Sequence, residues 1–108
     1  MTVQSQPQRI NPLADERFQA IRTALEQKGF TPQHQRVDDS LYALKKGVDI
    51  SGNALTLKVE FDLKDGKIEA LFSQTGRTSE RLEPFEAIHA FDSAQHLFMY
   101  SDNENSDE

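Results

Sequence analysis

His89, Asp92 and His96 are the residues whose types and spacing come nearest to a reactive set. An imidazole beside a carboxylate can ligate a metal ion or move protons near neutral pH. On a helix, the seven-residue step between the histidines puts both on one face with Asp92 between them. The same step sets the rings about 10 Å apart along the axis, whereas histidines at i and i+4 converge on one ion. The spacing therefore favours a solvated polar face over a metal centre, and the trio stands as the alternative site of a small enzyme or metal-dependent protein. Asp38 and Asp39 are adjacent acids, and such pairs in short turns serve to bond nearby backbone N–H groups. Gly76-Arg77-Thr78-Ser79 offers backbone N–H groups and one guanidinium to a phosphate, but it lacks the glycine pattern of a P-loop and precedes no immediate helix. His34, two residues after Pro32, reads as an exposed strand or loop residue. No serine lies in a Gly-x-Ser-x-Gly setting, and the chain has no cysteine, which excludes thiol nucleophiles, zinc–thiolate sites and disulfides. No catalytic residue, cofactor or metal ligand is expected.

The elements that would position these residues are set by hydrophobic period. Leu55, Leu57, Val59, Phe61 and Leu63 alternate with polar residues, the period-2 pattern of a strand with one buried face. Asp65-Gly66 then supplies the two left-handed residues of a type I′ turn. Closing the hairpin there sets Lys64 opposite Lys67, Leu63 opposite Ile68, Phe61 opposite Ala70 and Val59 opposite Phe72. All the apolar members then share one face, and a one-residue slip would turn them to water.

Before the hairpin, Asn11-Pro12 has the form of a helix start, with Asn as N-cap and Pro at the first helical position. Ala14, Phe18, Ile21 and Leu25 recur at helical spacing, and Lys28-Gly29-Phe30 has the form of a Schellman ending, so a helix is predicted over 12–28. Strands follow over 30–37 and 41–46, with a turn at Asp38-Asp39 between them. The 41–46 segment is apolar on both faces and its orientation stays open. Residues 74–83 are polar and read as an exposed loop. Glu83-Pro84 opens a second helix, in which Ala87, Ala90, Phe91, Ala94, Leu97 and Phe98 gather on one face. A rival reading ends that helix at Phe91 and makes His96–Tyr100 a fifth strand. The sum is an α+β domain ordered α-β-β-β-β-α, a four-stranded antiparallel meander with two helices on one face.

At 108 residues the chain suits a single domain, placed at 11–101 between a disordered polar tail over 1–10 and a disordered acidic tail over 102–108. The net charge of −6 owes four negative charges to Asp102, Glu104, Asp107 and Glu108. Within 11–101, 11 Lys and Arg face 14 Asp and Glu, and only Lys45-Lys46 are adjacent, so a nucleic-acid footprint is missing. No stretch approaches the roughly 18 apolar residues of a membrane span, and a cytoplasmic setting is expected. In outline, a small acidic α+β domain with helices flanking an antiparallel sheet is similar to type III secretion chaperones. That likeness implies protein clients and no catalytic site; it covers no motif and carries no residues over.

These readings predict a small non-enzymatic protein-binding or regulatory module, chaperone-like or inhibitor-like, with a protein partner or a second copy as its ligand. In a meander, the strand after the hairpin turn lies at an edge. Ala70, Leu71, Ser73 and Gln74 are the predicted interaction edge, because that stretch carries no charge or proline to blunt it. Such an edge needs cover, from a second copy, from another protein, or from the loop after Gln74 or the His96–Tyr100 segment of the same chain.

Overall fold

A computed structural model describes residues 15–35 and 40–101. Its elements are α1 (Glu16–Gln27), β1 (Gln33–Gln35), β2 (Ser40–Asp49), β3 (Ala54–Lys64), β4 (Lys67–Gln74), β5 (Glu80–Leu82), α2 (Pro84–Ser93), a 3-10 turn (Ala94–Leu97) and β6 (Phe98–Ser101). The sheet runs β1-β2-β3-β4-β5, all antiparallel, and β6 pairs with β2. The α+β class holds, with six strands where the sequence pattern implied four.

The β3–β4 hairpin organises the rest. Asp65 and Gly66 both take positive φ, 54° and 79°. All four cross-strand pairs expected from the sequence are present. Leu57, Val59 and Phe61 are completely buried, while Thr56, Lys58 and Glu60 between them lie half-exposed on the outer face. Register also orients β2. Leu41 faces Phe61 and Ala43 faces Val59, so these two point inward, and Tyr42 and Leu44 share the outer face with Glu60 and Lys58. Phe18, Ile21 and Leu25 of α1 and Ala87, Ile88 and Phe91 of α2 close the core over the inner face.

The end of α1 is the predicted one: Phe30 N–H bonds Leu25 C=O and Gly29 N–H bonds Glu26 C=O, both at 3.0 Å, with Gly29 at φ 89°. Its start differs. The N-cap is Asp15, whose Oδ1 accepts from Arg17 N–H at 2.8 Å; the expected Asn11-Pro12 start lies outside the described residues, as do Asp38, Asp39 and both predicted tails. The Arg17 guanidinium also grips Asp15 at 3.0 Å and reaches the Gly66 carbonyl at 2.8 Å, tying the start of α1 to the hairpin turn. These bonds, that of the Arg17 side chain foremost, hold the Asp15 carboxyl below its ordinary value. Asp15→Ala should cost about 0.5–2 kcal/mol in urea unfolding at neutral pH. Because the folded carboxyl titrates lower than the unfolded one, this contribution is complete above the ordinary Asp range and fades as pH falls through the lowered value. Asp15→Asn keeps the acceptor and should remove that part of the acid dependence.

Two elements depart from expectation. The segment read as an exposed loop over 74–83 contains β5, which pairs Leu82 with Ala70, Arg81 with Leu71 and Glu80 with Phe72. The second helix ends at Ser93, tightens into a 3-10 turn through Leu97 and gives way to β6, so neither reading of 84–100 is complete: the helical turn lasts longer than the rival allowed, and the strand begins at Phe98. No helix among the described residues is long and apolar enough to cross a membrane.

Candidate functional site

The histidine face of α2 does not assemble. His89 and His96 are exposed. The His96 ring bonds the Ser93 carbonyl of its own turn. Asp92 pairs with Lys28 at 3.4 Å, across to the end of α1. His96 and Asp92 are thus engaged with other groups, and among the described residues no three His, Asp or Glu side chains converge as metal ligands would. His34 is half-buried in β1 opposite Leu41, where the sequence suggested an exposed position.

The Gly76-Arg77-Thr78-Ser79 segment forms the turn between β4 and β5. Arg77 N–H bonds Gln74 C=O at 3.0 Å, Gly76 takes φ 81°, and the Ser79 and Ser73 hydroxyls lie 3.0 Å apart. A recess of about 300 Å³ opens beneath it, but Glu80 shares its wall with Arg77, so an anion would meet a carboxylate. A larger hollow of about 920 Å³ lies between α1, the hairpin turn, β5 and the start of α2. Both of its arginines are paired: Arg17 is held by Asp15, and Arg81 bonds Glu69 at 2.7 Å. Glu86 is turned back to the Glu83 N–H as part of the α2 cap, at 3.4 Å.

The predicted interaction edge is covered from within the chain. Ala70 and Leu71 are paired by β5, so the edge of the sheet passes to Glu80–Leu82; Ser73 and Gln74 lie beyond the β5 pairing, next to the turn. Three residues carrying Glu80 and Arg81 make a short, charged edge, the form that resists strand addition. Cover by the segment after Gln74 was one of the arrangements the sequence allowed, and it displaces the open edge expected at β4. The outer face also carries aromatics that the sequence did not place there. Tyr42 lies under the Lys58 ammonium, 5.3 Å from its ring centroid, and Tyr100 pairs with Val48.

The opposite edge has a different character. β1 covers β2 from Ser40 to Tyr42, and β6 covers it from Gly47 to Asp49. The register slips by one residue between Val48 and Asp49, which leaves Met99 as the extra residue on β6. The bulge lets neighbouring side chains face outward together: Met99 is 64 % exposed and Tyr100 61 %. Nearby, Asp49 Oδ1 accepts from Ser51 N–H and Asn53 N–H, both at 2.9 Å, and this tight turn lifts Ile50 into solvent at 80 % exposure. Three of the four large exposed apolar side chains among the described residues therefore sit at one end of the sheet, beside a strand that pairs on one side only among those residues. Sequence reasoning missed this site because Met99 and Tyr100 become neighbours of Ile50 only through the β2–β6 pairing. No protein-family model, curated protein or solved structure matches the chain.

Proposed function

We propose that this chain is a non-enzymatic protein-binding module that accepts an extended segment of another protein along β6. The observation that carries the reading is the side of β6 left unpaired among the described residues, with Met99, Tyr100 and Ile50 exposed around it. Main-chain N–H and C=O groups on such an edge supply affinity, and the side chains supply selectivity. Tyr and Met are enriched at the centres of protein interfaces because each gives a large contact area, Tyr with few torsions to freeze and Met with a shape that adapts. A second copy is the weaker partner. A two-fold pairing of β6 with β6 aligns four residues a side, far short of the roughly 800 Å² per partner of a stable interface, whereas a longer foreign segment can continue over Ile50. The double variant Met99→Lys with Tyr100→Lys should keep its melting temperature within a few degrees and lose the protein that the wild-type chain retains from lysate.

A further inference from the structure

Phe85, the fourth large exposed apolar side chain among the described residues, sits in the first turn of α2 at 57 % exposure. It is a wall shared by two hollows, the one of about 920 Å³ already described and a second of about 580 Å³ along α1. Ala20 lines both as well, so the two meet as one groove between α1 and the start of α2. We propose that this groove holds an amphipathic helix of another protein, apolar along the face it turns to Phe85 and flanked by lysine or arginine.

Shape selects a helix. The second hollow follows a single stripe of α1 from Glu16 through Ala20 and Ala24 to Gln27, about three helical turns. Such a stripe is the surface against which another helix packs, and alanines one turn apart let the two axes come close. An extended segment would need a strand edge, and the edge that borders the groove is β5, three residues carrying Glu80 and Arg81. Charge selects the flanks. Arg17 with Asp15 and Arg81 with Glu69 cancel as ion pairs. What remains along the groove is Glu16, Glu83 and Glu86 against Lys67, and among the described residues no ion pair engages any of the four. Glu86 is already fixed by its bond to the Glu83 N–H, so it loses little freedom on meeting a cation. This surface shares no residue with the β6 edge, and its occupant does not rest on the function proposed above.

Two synthetic peptides of about 18 residues, long enough to hold a helix, are the probes. One sets leucines at helical spacing among lysines, and the other keeps the leucines and replaces lysine by glutamate. In anisotropy titrations with the full chain, the lysine peptide should bind at least about tenfold more tightly than the glutamate peptide. Phe85→Ser should weaken the lysine peptide by about tenfold or more, the loss expected of a central aromatic anchor. Ile50→Ser removes an exposed apolar side chain elsewhere without changing charge, and it should leave the affinity as it is. No binding of the lysine peptide, equal binding of the two peptides, or equal effects of the two serine variants would overturn the proposal. So would a wild-type dimer in sedimentation that Phe85→Ser dissolves, because a second copy would then be the occupant. If Phe85→Ser fails to fold, Thr23→Lys with Gln27→Lys on the exposed wall of α1 replaces it. A similar loss there supports the groove, and an unchanged affinity contradicts it.

Discussion

Phe61→Ala should destabilise the protein by about 3–5 kcal/mol, most of the stability of a domain this small. Phe61 is completely buried at the middle of β3, with Leu41 opposite on one neighbouring strand and Ala70 on the other. Alanine on the β4 side is too small to fill the space a lost ring would leave, so the cavity adds its cost to that of the lost transfer energy. Glu60, one residue away, faces outward beside Lys58 at 3.6 Å, a half-exposed ion pair of small worth. Glu60→Ala should therefore shift the urea midpoint little. Equal losses from the two substitutions would contradict the facing of the whole sheet.

Phe91→Ala should cost a similar amount, about 3–5 kcal/mol, for a different reason. Phe91 is completely buried on α2 and meets Phe30 edge-to-face, with ring centroids 4.7 Å apart and planes at 67°. Phe30 is the residue whose N–H closes the end of α1 on Leu25, so this ring pair links the end of α1 to α2. Edge-to-face pairs carry about 0.5–1.5 kcal/mol beyond area burial. A cycle of Phe30→Ala, Phe91→Ala and the double substitution, followed by urea unfolding, should return a coupling of that size. Strict additivity would show that the rings contribute only as separate hydrophobic volumes.

The parts of the fold that were legible in the sequence are those fixed by local chemistry. Asp65-Gly66 set the hairpin register because both turn residues need positive φ, and Gly29-Phe30 marked the end of α1 because the Schellman bonds need only six residues. β5 was not legible, since Glu80-Arg81-Leu82 is too short to show a period of two and its place depends on the β4 edge it covers. The start of β6 was hidden by Ala94, Leu97 and Phe98, which continue the helical stripe of α2 for one more turn. Extended backbone wins at Phe98 because β2 runs on to Asp49, well past the reach of β1, and leaves a paired position open there. The edge proposed for docking was illegible for the same reason. The sequence left the β4 edge to be covered either by a partner or by the chain itself, which is what β5 does, and carried no sign that a bulge would turn Met99 and Tyr100 outward together.

The account stands or falls on which surface of the sheet holds a partner, and affinity capture with three variants as parallel baits reads that directly. Alongside the wild-type chain, one bait carries Met99→Lys and Tyr100→Lys on β6, one carries Glu80→Ala and Arg81→Ala on β5, and one carries His89→Ala and His96→Ala on α2. The account predicts that the wild-type, β5 and α2 baits retain the same protein and that the β6 bait, folded to the same melting temperature, does not. Retention of that protein by the β6 bait, or its loss from the α2 bait alone, would contradict the assignment of β6 as the docking edge.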